Sequence, residues 1–223
     1  MSSQHEIEQI LNRYAIADNH RESDYFAAIR QLVAGRGRAA AGAERAAWQG
    51  AIDRVYALVR DEILTNSDRP RKAIAFGTSG WRGTLGKDLF VRSVATVTAA
   101  ILSLYREAEG NPELRAALGV ASFKEMCARG CVVGFDNRFG GPLLALAAVN
   151  VLVASGVKVF YAGESTTGAL SASVLVRRAA FSINLTPSHN PLEYGGFKYN
   201  AADAGPAAPV LTDTITRLAG DYL

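Results

Sequence analysis

The sequence of 223 residues has little cysteine and no long apolar run. Its two cysteines, Cys127 and Cys131, offer neither a disulfide framework nor enough ligands for a zinc site. We expect two reduced thiols, as in a cytoplasmic protein. The most apolar stretch, residues 143–153, is far shorter than the ~20 residues of a membrane helix. The N-terminus also lacks the apolar core of a signal peptide, so we expect no membrane partner.

Charge gives no sign of a nucleic-acid partner either. The net charge is +3, and the chain has no basic block of the kind that binds nucleic acid. Arg69, Arg71 and Lys72 lie close together, but three charges beside a proline are typical of a solvated loop. The composition is otherwise that of a globular protein.

Residues 1–70 are alanine-rich and predicted to be helical. One segment has apolar residues at the 4-3-4-4 spacing of a single helix face. These residues are Trp48, Ile52, Val55, Val59 and Ile63. Gly35, Gly37 and Gly42 are expected to break the region into at least two helices. We therefore expect a helical N-terminal extension at 1–70.

After Pro70 the pattern changes to alternating strands and helices. The predicted strands are residues 72–76, 131–135, 157–160 and 181–185. Helices are predicted around residues 90–104, from Asn111-Pro112 onward, and over 142–155, 167–179 and 210–219. The runs CVVGF and FSINL are typical of strands buried on both faces. The alternation predicts an α/β domain at 71–223, with three α/β/α layers around a mixed, mostly parallel sheet.

Two glycine-rich loops after predicted strands are candidate ligand sites, because ligands gather at the carboxyl ends of strands in such folds. In GTSGWRG, residues 77–83, Thr78, Ser79 and Arg82 could bind a phosphate. A tight turn with a surface arginine would have the same composition. In DNRFGG, residues 136–141, an aspartate and an arginine could bind a ligand, but pairing with neighbouring loops is favoured.

The stretch TPSHNPLEYGGFKYN, residues 186–200, is the third candidate and is predicted to be a loop. It contains Ser188, His189 and Lys198 within a turn constrained by prolines. Acyl transfer is poorly supported, because the chain has no Gly-x-Ser-x-Gly elbow and no acidic triad partner is evident. Phosphoryl transfer fits better, since it requires mainly positioning and positive charge. A proline-rich turn with an incidental serine is the alternative.

Taken together, FGTSGWRG and TPSHNPLEYGGFKYN resemble the opening motif and the phosphoserine loop of the α-D-phosphohexomutases, the phosphoglucomutase and phosphomannomutase superfamily. The resemblance covers about residues 72–215. It is to the bacterial phosphoglucomutase form in particular, although many relatives have Ala or Gly where this chain has Pro187. It implies the N-terminal, catalytic-serine domain of such an enzyme.

The resemblance also implies residue roles. Ser188 would carry the phosphoryl group, Lys198 would help with charge and proton transfer, and Arg82 would hold the phosphoserine or the substrate. Four further residues match positions that shape the site or contact phosphate: Thr78, Ser79, His189 and Asn190.

Mg²⁺ is implied as the cofactor, bound in the complete enzyme by the phosphate on Ser188 and three aspartates of a D-x-D-x-D-R loop in the second domain. Glucose 1,6-bisphosphate is implied as activator and intermediate. The 223 residues contain no such aspartate loop, no G-E-x-S-G sugar loop and no later phosphate-binding loop. We therefore expect a chain cut at a domain boundary and inactive alone, with the missing domains or a full-length subunit as partner.

The resemblance implies an isomerase of carbohydrate metabolism that interconverts glucose 1-phosphate and glucose 6-phosphate through a phosphoserine, with a hexose phosphate as substrate. The alternative is a non-catalytic phosphosugar-binding or regulatory module derived from a mutase.

Overall fold

A computed structural model of the chain describes residues 2–77 and 80–223. The chain divides into two compact units, with the boundary between Thr65 and Asn66. The unit that precedes this point is entirely helical in its described residues, and the unit that follows it is built around a β-sheet. This arrangement confirms the predicted fold class of an α/β fold preceded by helices.

The N-terminal unit contains three helices: α1 (Ser3–Tyr14), α2 (Tyr25–Arg38) and α3 (Ala43–Thr65). Side-chain oxygens of Ser2 and Asp24 accept hydrogen bonds from the first turns of α1 and α2, which is the preferred way to begin a helix. The five apolar residues predicted to share one face of a helix are all buried along α3. That part of the prediction is confirmed.

Gly35 and Gly37 do not break the helical region as predicted, because both lie inside α2; only Gly42 lies between helices. Gly35 is required by packing. A Cβ at this position would lie 2.3 Å from the ring of Trp48, which is buried in the same unit. The glycine therefore lets two helices approach closely, which a sequence pattern cannot distinguish from a helix break.

The second unit contains five strands and a series of helices within its described residues. The strands are β1 (Trp81–Thr84), β2 (Cys131–Phe135), β3 (Val159–Glu164), β4 (Phe181–Leu185) and β5 (Tyr194–Asn200). The helices are α4 (Val91–Glu107), α5 (Pro112–Leu118), α6 (Phe123–Arg129), α7 (Gly141–Ala154), α8 (Thr167–Arg177) and α9 (Pro209–Asp221).

The sheet has the strand order β1-β5-β4-β2-β3. The three strands β4, β2 and β3 are parallel neighbours, whereas β5 pairs antiparallel with both β4 and β1. Four strands therefore share one direction and β5 opposes them. All residues of β2 and β4 are buried, as their apolar sequences predict.

Helices cover both faces of the sheet. On one face, the Tyr105 ring of α4 packs against Phe181 of β4, and the start of α7 lies against the Phe135 ring at the end of β2. On the other face, Leu170 and Val174 of α8 form a buried cluster with β2. The unit consequently has the three α/β/α layers that were predicted. Within the described residues, no helix combines the length and apolar character needed to cross a membrane.

Two sequence predictions were wrong in detail, and one helix was missed. Residues 72–76 form no strand. Side chains accept two of their backbone N–H groups: Asp88 accepts from Lys72 at 2.9 Å, and Thr216 accepts from Phe76 at 3.1 Å. The helix α6 was not predicted. Residues 194–200 were expected to be part of a loop but form β5.

Candidate functional site

The carboxyl ends of β2 and β4 lie side by side and place Asp136 next to Thr186. Phe135 pairs with Leu185 in the parallel ladder, and the Asp136 amide donates to the Leu185 carbonyl at 3.2 Å. One residue beyond the strands, the Thr186 hydroxyl donates to Asp136 Oδ2 at 2.6 Å. The two loops are thus joined by a charge-assisted hydrogen bond.

Ser188 begins the turn after β4 in a left-handed backbone conformation, with φ of 60°. This conformation costs a residue other than glycine roughly 1–2 kcal/mol. The Ser188 amide donates to Thr186 Oγ1 at 3.0 Å, so the same threonine bonds both the aspartate and the serine. Ser188 is half-buried and its neighbour His189 is exposed. The surrounding structure therefore holds this serine in a strained turn at the sheet edge.

Arg138 holds the Ser188 turn from the neighbouring loop. Its Nη2 donates to the Ser188 carbonyl at 3.1 Å and its Nη1 donates to the Pro191 carbonyl at 3.0 Å. Its Nε lies 3.7 Å from Asp136 Oδ2. The interpretation that the DNRFGG loop pairs with neighbouring loops is confirmed. The guanidinium fixes the turn at both ends, because it contacts the serine and the second proline.

Arg82 approaches the turn from the other side. It lies on β1, directly opposite Gly196 of β5, and its Nε donates to the Pro187 carbonyl at 3.2 Å. Arg82 and Arg138 therefore bond successive backbone carbonyls of one turn, those of Pro187 and Ser188. Two guanidinium groups at this turn create a positive environment that suits a phosphate.

Gly196 lets the turn pack directly on β5. A Cβ at this position would lie 2.2 Å from the Thr186 carbonyl oxygen and 2.8 Å from Pro187 Cα. Gly195 likewise leaves room for the side chain of Leu85. Gly195 and Gly196, which suggested a loop, are thus strand residues. Because they have no side chain, neighbouring atoms can pack directly against their backbone.

We expect Gly196→Ala to lower the free energy of unfolding by about 1–3 kcal/mol, because the new methyl group meets backbone atoms that cannot rotate away. Gly220→Ala is the matched control: Gly220 lies in α9, is exposed, and has open space within 4 Å of where the alanine methyl group would lie. That variant should gain up to about 1 kcal/mol from helix propensity. Denaturant unfolding measures both, and equal stability of the two variants would contradict the packing argument.

Lys198 lies on β5, half-buried, opposite Asn184 of β4. Burial lowers the pKa of the Lys198 ammonium, the positive charge of Arg82 lowers it further, and the Asp136 carboxylate acts in the opposite direction. With the residues that the structure describes, the ammonium makes no hydrogen bond or ion pair. The Lys198 ammonium is therefore available to a ligand. It interacts electrostatically with Arg82 of β1 and with Asp136 of the loop after β2.

The remaining predicted site residues have less defined surroundings. The Asn190 amide donates to the Pro187 carbonyl at 3.3 Å, which closes the turn, and His189 extends toward solvent. Thr78 and Ser79 lie outside the described residues. Sequence reasoning did not single out Thr186, although a threonine between a buried strand and a proline is a recognisable turn position.

The described residues do not form a magnesium site by themselves. Within 2–77 and 80–223, no group of three or more His, Cys, Asp or Glu side chains is placed to hold a metal ion. Asp136, a carboxylate beside the Ser188 turn, already bonds Thr186 and lies against Arg138. We therefore assign no chemical step to Mg²⁺.

A family model described as phosphoglucomutase/phosphomannomutase, alpha/beta/alpha domain I, matches residues 73–222. The chain is 29% identical over 160 residues to a phosphoglucomutase of Komagataeibacter xylinus, covering 67% of this chain and 26% of that protein. It is 32% identical over 143 residues to a phosphoglucosamine mutase of Frankia alni, covering 64% of this chain and 29% of the relative.

A solved structure has the same fold. The crystal structure of a phosphoglucomutase/phosphomannomutase family protein from Burkholderia thailandensis superimposes with a TM-score of 0.51 at 27% identity, covering 66% of this chain and 30% of that one. The chain thus spans less than a third of the length of these relatives. It belongs to the phosphoglucomutase/phosphomannomutase family, the α-D-phosphohexomutases, and contains the α/β/α domain I of that family.

Proposed function

We propose that this chain is the phosphoryl-carrying domain of a phosphoglucomutase-type intramolecular phosphotransferase, which interconverts glucose 1-phosphate and glucose 6-phosphate. Ser188 is the carrier. The observation that supports this role is its left-handed turn, bonded by Thr186, Arg138 and Asn190 at the edge of the sheet where ligands bind. A turn fixed in this way presents one hydroxyl in a reproducible place, which is the main requirement of phosphoryl transfer.

The charges around Ser188 suit a phosphoserine. A phosphoserine carries a charge of about −1.5 to −2 at neutral pH and needs cationic partners. Arg82 donates a hydrogen bond to the residue before Ser188. The Lys198 ammonium makes no hydrogen bond or ion pair with a described residue. Burial lowers the pKa of the Lys198 ammonium, and the positive charge of Arg82 lowers it further. A phosphoryl group on Ser188 would bring negative charge to these two cations, and a nearby opposite charge favours the charged form of the lysine.

In the forward step, the hydroxyl oxygen of glucose 1-phosphate attacks the phosphorus of phosphorylated Ser188. The bond between phosphorus and the serine oxygen breaks, a bond to the sugar oxygen forms, and the sugar hydroxyl proton passes to the serine oxygen. Glucose 1,6-bisphosphate then reorients, and the Ser188 hydroxyl oxygen attacks the phosphorus of its other phosphate. The bond from that phosphorus to the sugar oxygen breaks, the serine proton passes to the sugar oxygen, and glucose 6-phosphate leaves. Lys198 stabilises the charge of the moving phosphoryl group, and burial and the Arg82 charge lower the pKa of its ammonium.

The identity of the sugar, glucose, is a more specific part of the proposal than the type of reaction. It is supported by the Pro187-Ser188 pair of the bacterial phosphoglucomutase form and by the likeness to the K. xylinus phosphoglucomutase. Magnesium and the remaining domains belong to the complete enzyme in this proposal. The chain alone is therefore expected to give no net turnover.

A chimera tests the proposal. Residues 73–222 of this chain replace the matching segment of the K. xylinus phosphoglucomutase, so that the full set of domains is present. We expect this chimera to convert glucose 1-phosphate into glucose 6-phosphate. After incubation with phosphate-labelled glucose 1,6-bisphosphate, the label should be found on the peptide that contains Ser188. The isolated chain is assayed in parallel.

Three outcomes would overturn parts of this function. A chimera that melts cooperatively but neither turns over nor takes up label would favour the non-catalytic module. Turnover by the isolated chain would show that the further domains are unnecessary. Label on a peptide other than the one containing Ser188 would remove the proposed carrier.

A further inference from the structure

Asn184 is a buried polar residue inside the sheet, only 3% exposed. Its Nδ2 donates to the Thr167 hydroxyl at 3.0 Å, but its Oδ1 has no hydrogen-bond partner among the described residues. Leaving a buried acceptor unsatisfied costs about 1–3 kcal/mol. A buried acceptor of this kind calls for a donor, and no described residue is hydrogen-bonded to it.

Lys198 is the donor that lies directly opposite Asn184 in the sheet. The two residues are directly opposite in the antiparallel pair of β4 and β5, so their side chains leave the same face of the sheet about 4.5–5.5 Å apart at Cβ. On the other flank, Asn184 pairs with Gly134 of β2, which has no side chain to offer. An unsatisfied acceptor therefore stands beside an ammonium that has no partner among the described residues.

A cavity lies beside the Lys198 side chain. Its volume is about 140 Å³, and Lys198 lines it together with Thr167 and Ser171 of α8. Thr167, which lines this cavity, is also the residue that accepts the hydrogen bond from the Asn184 amide. A lysine has four rotatable side-chain bonds, and this space allows its ammonium to turn toward β4.

We propose that Asn184 is a positioning residue for Lys198: its Oδ1 accepts a hydrogen bond from the ammonium and fixes where that charge lies. This inference rests on the proposed function for its consequence, because Lys198 is there the cation that meets the phosphoryl group on Ser188. The contact itself depends only on the fold. Asn184 touches no reacting atom and acts through the lysine.

The other charges that affect Lys198 come from neighbouring elements. They are the Arg82 guanidinium on β1 and the Asp136 carboxylate after β2. Tyr199, the next residue of β5, also lines the cavity, but its hydroxyl bonds Tyr105 at 2.9 Å on the opposite face of the sheet. No described carboxylate lines the cavity, so a neutral amide oxygen is the acceptor that β4 provides.

The test is a titration of Lys198 in the whole chain. The sequence has five lysines, so protein labelled with ¹³C at the lysine ε-carbons gives few signals, and Lys198→Arg identifies the one required. We expect Asn184→Leu to lower the pKa of Lys198, because the ammonium loses its acceptor. Asn184→Asp should raise it, because a carboxylate favours the charged form. In the chimera, Asn184→Leu should slow phosphoryl transfer to Ser188 about tenfold.

Ser182→Ala is the matched control. Ser182 lies on the same strand and face as Asn184 and is equally buried, but it pairs with Asn200 instead of Lys198. Its replacement should leave both the Lys198 titration and the transfer rate unchanged. An unchanged titration in Asn184→Leu would overturn the inference. If that variant does not fold, an unchanged titration in Asn184→Asp would overturn it equally.

The two proposals fail separately. If the chimera never phosphorylates Ser188 but the Lys198 pKa moves as expected, the positioning contact stands and the enzymatic function is wrong. If transfer occurs but the titration is the same in all variants, the function stands and Asn184 has no positioning role.

Discussion

Ser188→Gly is expected to abolish phosphoryl transfer while leaving the protein as stable as before or more so. Ser188 has φ of 60°, a conformation that glycine adopts without strain, so the replacement relieves roughly 1–2 kcal/mol in the folded state. Part of this gain is offset by the greater freedom of glycine in the unfolded chain. Transfer is lost because the oxygen that carries the phosphoryl group is gone. A residue kept in strain at the cost of stability is typical of a functional position.

Two further variants separate strain from chemistry. Ser188→Ala removes the hydroxyl but keeps the strained φ, so it should abolish transfer without any gain in stability. Arg178→Gly is the reverse case: Arg178 ends α8 with φ of 51° and is exposed, away from the Ser188 turn. It should match the stability change of Ser188→Gly and keep full transfer. Denaturant unfolding of the chain and label uptake by the chimera measure the two quantities.

Two results would contradict the expected separation of the stability effect from the effect on phosphoryl transfer. Label retained in both Ser188 variants would place the carrier elsewhere in the protein. A loss of stability in Ser188→Gly that Ser188→Ala shares would mean that the hydroxyl is needed for folding, not for chemistry.

The elements that could be predicted from sequence are those with a local signature. CVVGF and FSINL are apolar and rich in β-branched or aromatic residues, and both form fully buried strands. Asn111 followed by proline begins a helix as expected, because the asparagine side chain bonds the first-turn amides. The loops after these strands were consequently placed at the correct edge of the sheet.

The parts that could not be predicted depend on contacts distant in sequence. β5 was taken for a loop because its glycines resemble turn residues; only the register against β1 and β4 shows that Gly196 must admit the Thr186 backbone. Arg138 reaches the Ser188 carbonyl across fifty positions, and this requires β2 and β4 to be neighbours. The unpaired Oδ1 of Asn184 is likewise invisible until Lys198 is placed opposite it.

Lys198→Met is expected to slow phosphoryl transfer to Ser188 by about 10²–10³-fold, the range found when one group that stabilises developing charge is removed from a preorganised site. Methionine keeps the length and most of the volume of the side chain, so packing against β4 is little changed. Lys124→Met is the control, since Lys124 is an exposed lysine of α6. It should leave the transfer rate of the chimera unchanged. Equal rates in both variants would exclude Lys198 from the reaction.

The same lysine predicts how activity depends on pH. Burial and the Arg82 charge lower the pKa of Lys198 below its ordinary value of 10.5. If the ammonium form is required, transfer should decline as pH rises through this lowered pKa, before an exposed lysine would titrate. Lys198→Arg keeps its positive charge throughout the range, so its slower transfer should lack the alkaline decline. A decline at the same pH in Lys198→Arg would assign it to another group.

As Lys198 loses its proton with rising pH, its contribution to the free energy of unfolding should increase, whereas the transfer rate should decrease. Between the lowered pKa of folded Lys198 and 10.5, the unfolded chain binds more protons at this residue than the folded chain does. The lysine's contribution to the free energy of unfolding therefore increases as pH rises through that window, while transfer falls. Buried tyrosines with raised pKa act in the other direction from their ordinary value of 10.0 upward, so the effect must be taken as the difference between the unchanged chain and Lys198→Met. A stability difference that falls across this window would contradict the buried state of the ammonium.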